Sequence, residues 1–135
     1  MPLMTWDQTL DIGVEPMNRE HRDILDAMNA VYDGAQAQQF GPAMNAKIAR
    51  LGEITTHHFV DEEAFMARVG YPELATHKMI HQKLLKDFGR HAEAIAAAGG
   101  VPTKEFFTFL RLWLSAHIKG IDLKYGKFAQ AGAHA

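Results

Sequence analysis

The chain has 135 residues, 47% of them hydrophobic and 22% charged, which is the balance of one globular domain with its own core and not of a disordered segment. A formal net charge of -2, with lysines and arginines scattered along the chain, gives no electrostatic footprint for nucleic acid. No apolar run approaches membrane length, the start Met1-Pro2-Leu3-Met4-Thr5-Trp6-Asp7 lacks the basic and apolar regions of a secretory signal, and the lack of cysteine rules out disulfides, thiolate zinc sites and cysteine-held iron–sulfur clusters.

A cytoplasmic protein is therefore expected, with any metal held by His, Asp and Glu. Residues 1 to about 17 carry Gly13 and Pro16 without helical periodicity and read as an extended arm. Asn18 is the expected N-cap of a first helix whose inner face carries His21, Ile24, Leu25, Met28, Val31 and Tyr32. Pro42 suits the first turn of a second helix running to Val69, with Ile48, Leu51, Thr55, His58, Glu62, Phe65, Met66 and Val69 in one stripe. After Gly70 and the Tyr71-Pro72 corner, a third helix carries Leu74, His77, His81, Leu84, Leu85, Phe88 and Ile95 before the Gly99-Gly100 stop. Pro102 is expected to open a fourth helix with Phe106, Phe109, Leu110, Trp113, Leu114, His117 and Ile118 inward, and Gly120 loosens its end. Short links between long helices favour antiparallel neighbours. The expected fold is an all-α, up-down-up-down antiparallel four-helix bundle over residues 18 to about 122, within one domain covering 1–135 that ends in a C-terminal tail.

Seven possible metal ligands fall on these four helices: His21, His58 with Glu62, His77 with His81, and His117 with Asp122. The pairs His58/Glu62 and His77/His81 are four apart, so each stacks on one helix face. His117 and Asp122 are five apart, about 140° around a regular helix, and can share a face only through a π-bulge or a frayed last turn near Gly120. Imidazoles suit iron, copper, nickel and zinc, and carboxylates can each span two ions, so the mixture fits a dinuclear centre better than one closed site.

A single histidine on an apolar face is ordinarily a core residue with one hydrogen bond. Five imidazoles and two carboxylates buried together without a Lys or Arg partner would leave costly unsatisfied groups, and a cation removes that cost. His57 is rotated off the stripe, His91 lies near the end of helix three, and His134 sits in a loose Ala-Gly tail, so none of these joins the set. Asp61 and Glu63 point off the stripe and read as solvated charges. Trp113, Phe65 and Met66 are ordinary core residues that would also keep a buried centre dry.

These residues resemble the hemerythrins, in their single-domain bacterial form. The resemblance runs from Trp6-Asp7 and Glu20-His21 through His58-Phe59-Val60-Asp61-Glu62-Glu63 and Gly70-Tyr71-Pro72, with His77 and His81, to Trp113-Leu114, His117-Ile118-Lys119-Gly120-Ile121-Asp122 and Lys124-Tyr125. Asn18-Arg19-Glu20 departs from the family's common Asp-x-Gln before the first ligand. The resemblance implies two non-haem iron ions joined by an oxo or hydroxo bridge. His77, His81 and His117 would hold one, His21 and His58 the other, and Glu62 and Asp122 would bridge both. One coordination position then stays open on the iron with two histidines, where the family binds dioxygen reversibly and small anions such as azide in the diferric form. Leu25, Phe59, Trp113 and Ile118 are the expected dry wall of that pocket. The chain has no Glu-x-x-His pair of the kind that ferritin-like oxidases present, nor a His-Glu-x-x-His helix, a phosphate-binding glycine loop or a Gly-x-Ser-x-Gly elbow. Oxygen storage, delivery or sensing is thus expected ahead of enzymatic turnover; the alternative is a di-iron enzyme of peroxidase, oxidase or nitric oxide-reducing type.

Overall fold

The computed structural model describes residues 2–133. A short 3₁₀ turn, Gln8–Leu10, precedes α1 (Glu15–Gln36), α2 (Pro42–Val69), α3 (Leu74–Ala97) and α4 (Lys104–His117). From α4 the chain runs through a π-helical segment, Ile118–Asp122, directly into α5 (Leu123–Ala133). No strand occurs among the described residues. The long helices form a four-helix bundle in which α1 packs on α2 and α2 on α3, and the short links make neighbours antiparallel. No described helix is long and apolar enough to cross a membrane.

Helices α1 and α2 bury most of the stripe that their periodicity marks. On α1, Met17, His21, Ile24, Leu25, Met28 and Val31 recur at three- and four-residue steps and are buried. On α2 the buried positions include Met44, Ile48, Leu51, Thr55, His58, Glu62 and Met66. Every fully buried Leu, Ile, Met or Phe contributes about 1.5–3 kcal/mol, so the apolar part of these stripes supplies the energy that holds the polar part in place. His21 lies early in α1, His58 and Glu62 late in α2, His77 and His81 early in α3, and His117 at the end of α4. Antiparallel order brings those four regions to one level of the bundle, while Val31, Met44, Ile95 and Phe106 fill the other end.

The helix starts differ from the expectation. α1 begins at Glu15, not after Asn18, because Pro16 occupies its first turn, where a missing N–H costs nothing. Asn18 is buried and ties down the arm instead: its Oδ1 accepts from the Ile12 amide at 3.0 Å and its Nδ2 donates to Asp11 Oδ1 at 2.8 Å. Asn29 clasps the arm further out, accepting from the Met4 amide at 3.1 Å and donating to the Met4 carbonyl at 2.8 Å. Pro102 does not open α4. Thr103 is the N-cap, its Oγ1 accepting from the Phe106 amide at 3.1 Å. At the end of α2, Gly70 is left-handed with φ 72°, and the Tyr71 amide closes on the Met66 carbonyl at 2.9 Å.

The tail expected after Asp122 is helix as far as Ala133. It is held because Tyr125 is fully buried and because Gly126 lets the arm lie directly on α5; a Cβ there would come 2.1 Å from the Ile12 carbonyl oxygen. The inner stripe of α3 is less enclosed than expected, with Leu74, Leu84, Leu85 and Phe88 only partly buried, as is Tyr32 on α1. His134 lies outside the described residues.

Candidate metal centre

The structure brings all seven sequence-predicted donors together at one level of the bundle, each of them buried: His21, His58, Glu62, His77, His81, His117 and Asp122. Their atoms form two overlapping cradles. Glu62, His77, His81, His117 and Asp122 make one, and His21, His58, Glu62 and Asp122 make the other, with the donor atoms of each within 4.8 Å of one another. The two carboxylates belong to both. Glu62 turns Oε1 to His81 Nε2 at 2.8 Å and His77 Nε2 at 3.2 Å, and Oε2 to His58 Nε2 at 3.0 Å and His21 Nε2 at 3.4 Å. Asp122 divides in the same way, with Oδ1 3.0 Å from His77 and His117 Nε2 and Oδ2 3.0 Å from His21 Nε2.

Asp122 reaches this position through the π-helical segment. On a regular helix the five-residue step from His117 would turn it away; the wider turn takes up the extra residue and restores the shared face. Because the helix continues into α5, a bulge and not a frayed end solves the spacing problem.

The contacts are short, yet all five Nε2 atoms, Glu62 Oε1 and Asp122 Oδ1 are buried without a hydrogen-bond partner. The ring N–H directions therefore miss the carboxylate oxygens, and both kinds of group converge on the space between them. Leaving so many buried polar atoms unmet would cost about 1–3 kcal/mol each. A cation in each cradle would meet these seven atoms. Donor atoms about 3 Å apart are what two adjacent ligands span at right angles around one cation with bonds of about 2.1 Å. With no thiolate present, imidazole and carboxylate suit a borderline divalent or trivalent transition metal.

The electrostatics of the metal-free residues agree. Burial disfavours the imidazolium of His58, but the Glu62 charge and contacts with Glu20 and Glu62 push its pKa up to about 10. At His77 burial is likewise outweighed, by Asp122 and Glu62, and the value rises to about 9. Burial opposes ionisation of Glu62 too, yet neighbouring His58 and the other imidazoles hold it well below the usual carboxylate range. Asp122 is lowered against both burial and the Glu62 charge, chiefly by His117. Without metal, His58 and His77 thus stand as imidazolium beside ionised Glu62 and Asp122, their protons held where cations would bind.

Three further residues, to which the sequence assigns no role at the centre, bond the candidate ligands. Glu63, expected as a solvated charge, accepts from His81 Nδ1 at 2.8 Å with Oε2 and is only 26% exposed. It points off the α2 stripe, as expected, but toward α3 and not toward water. Glu20 on α1 does the same for His58 Nδ1 on α2, at 2.7 Å. Each carboxylate holds the Nδ1 proton, so that the neutral ring would present its Nε2 lone pair to the cradle. Tyr125, on α5, donates its hydroxyl to Glu62 Oε2 at 2.7 Å. Asp61 contacts the exposed His57 at 3.3 Å on the surface. A hydrogen-bond partner for the outer nitrogen of a candidate ligand imidazole could be anticipated on chemical grounds, but helical period does not say which neighbouring helix supplies it.

The four expected wall residues are buried. Phe59 stacks flat on His81, with centroids 3.7 Å apart and planes at 6°, and stands 5.9 Å from both His58 and Trp113. Trp113 lies edge-on to His117 at 6.0 Å. These two aromatics therefore cover the three-histidine cradle as much as the two-histidine one. Leu25 and Ile118 complete the adjoining core.

Comparison with known proteins gives the same picture. Residues 12–129 match the family model described as the hemerythrin HHE cation binding domain. The chain is 30% identical over 131 residues to a bacteriohemerythrin from Stenotrophomonas maltophilia, covering 97% of this chain and 84% of that one. It is 29% identical to a myohemerythrin from Theromyzon tessulatum, over 89% of this chain and 88% of the relative. A crystal structure of wild-type hemerythrin superposes with a TM-score of 0.81 at 28% identity, covering 93% of this chain and 96% of the other. With fold and sequence in agreement over most of its length, the chain belongs to the hemerythrin family.

Proposed function

We propose that this chain is a non-haem di-iron protein that binds dioxygen reversibly, for oxygen storage, delivery or sensing. One observation carries the reading: each of two buried carboxylates presents one oxygen to each cradle, and the cradles are unequal, with three histidines in one and two in the other. Two irons held there would supply the electrons that dioxygen takes up and, on the iron with fewer protein donors, a coordination position for it. Glu62 and Asp122 would hold both cations, while Glu20 and Glu63 would keep the His58 and His81 lone pairs turned inward. Phe59, Trp113, Leu25 and Ile118 keep bulk water, and with it protons, from the site, which favours release of the ligand over its reduction.

The test is anaerobic reduction of iron-loaded protein, mixing with oxygen, and purging with argon. Uptake of one dioxygen per two irons, reversed by the purge over repeated cycles, is expected, and azide should occupy the same position in the diferric form. One iron per chain overturns the di-iron assignment. One-way oxidation with stoichiometric peroxide release moves the protein to the enzyme class.

A further inference from the structure

Tyr125 stands beside the centre without being a ligand. It is fully buried, its ring 5.7 Å from Phe65 and 5.8 Å from His77, and its hydroxyl reaches Glu62 Oε2 at 2.7 Å. Asp122 and Tyr125 are three residues apart, so the π-helical segment that turns Asp122 inward also delivers the phenol to this spot. The bond makes the two oxygens of Glu62 different. Oε2, which faces His21 and His58, is shared with a hydrogen-bond donor, whereas Oε1, which faces His77 and His81, has no such partner. A donor and a cation on one carboxylate oxygen compete for the same electron density.

We propose that Tyr125 is a positioning residue that makes the two cradles chemically unequal by drawing charge from Glu62 on the side of His21 and His58. The cation on that side is consequently bound less tightly and attracts an added small ligand more strongly, while the three-histidine cradle keeps the undiminished oxygen. The inequality of ligand count is thereby reinforced by an inequality of donor strength on a single side chain. The inference rests on the two-cation reading above.

The test compares wild type, Tyr125→Phe and Tyr71→Phe. Tyr71 is a nearby phenol, 6.3 Å from Tyr125 between ring centroids, whose hydroxyl bonds Glu73 and not the centre. Metal-free proteins are titrated with cobalt(II), followed by absorption and calorimetry, and diferric proteins are titrated with azide. Wild type and both variants should take up two cations per chain. In Tyr125→Phe the second dissociation constant should fall about tenfold, the scale of a lost charged hydrogen bond, and azide should bind more weakly; Tyr71→Phe should match wild type. Placing 3-fluorotyrosine at position 125 strengthens the donor without changing the packing, and should move both constants the opposite way. A second constant in Tyr125→Phe that is unchanged or raised, or a fluorotyrosine shift in the direction of phenylalanine, overturns the inference while leaving the two-cation reading intact. A wild-type endpoint at one cation overturns both.

Discussion

Glu63 Oε2 lies 2.8 Å from Nδ1 of His81, so two consecutive residues of α2 grip the same imidazole from opposite sides, Glu62 facing its Nε2 and Glu63 its Nδ1. The two carboxylates are about 100° apart around the helix, and the ring of α3 fits between them. Glu62→Ala removes an oxygen from each cradle, and loss of both cations on gel filtration is expected. Glu63→Ala removes only the orienting partner, so two cations should remain at saturation with affinity reduced about 10–100-fold. Metal analysis of both variants after dialysis against a weak chelator checks the order.

The π-helical segment gives a sharper test of register. Deleting the exposed Lys119 turns the five-residue step between His117 and Asp122 into a four-residue step, one ordinary helical turn, so both donors and Tyr125 keep their face. Deleting Leu112, which is 59% exposed within α4, instead rotates His117 and everything beyond it by about 100° against Phe106 and Leu110. Two-cation uptake is expected in the first deletion and not in the second. Equal loss in both would show that the bulge does more than absorb a residue.

Metal uptake should depend on pH. In the metal-free fold His58 titrates at about 10 and His77 at about 9, against about 6.5 for an unperturbed imidazole. Because these values are raised, the stability they contribute is full below about pH 6.5 and is lost as pH climbs through 9 to 10. Glu62 and Asp122 are lowered, so their contribution is present above about pH 4 and is lost as pH falls further. Denaturant midpoints of the metal-free protein should therefore decline from pH 6 to pH 10, while apparent cation affinity rises. At pH 7 loading should release about two protons per chain from these histidines. Calorimetry in buffers of different ionisation enthalpy measures that number, and a value near zero would contradict the assigned protonation.

The arm is held by a polar clasp that is separate from the ligands. Asn18→Ala leaves the Ile12 amide buried without its acceptor, and a loss of about 1–3 kcal/mol is expected in equilibrium unfolding. Cation stoichiometry should not change, since the Asn18 side chain bonds the arm and none of the donors.

Legibility in the sequence followed period. The four stripes were readable because burial on one helix face recurs every three to four residues, and the donors were readable because they interrupt those stripes with groups that water or a cation must satisfy. Even the unusual step from His117 to Asp122 announced a departure from regular helix. The short-range competition at helix starts was not readable in the same way: Asn18 has the chemistry of a cap, yet the helix begins earlier at Glu15 because Pro16 fits a first turn, and Thr103 caps α4 in place of an opening at Pro102. The helix after Asp122 is not legible in its own residues because its support comes from elsewhere, from the arm lying on Gly126 and the core closing over Tyr125. What only the tertiary structure decided is which helix serves which. Glu20 supports His58, Glu63 supports His81 and Tyr125 bonds Glu62, each across a helix boundary. Periodicity fixes the direction of a side chain about its own axis, whereas the partner it meets depends on the rotation and height of the neighbouring helix, which packing alone sets.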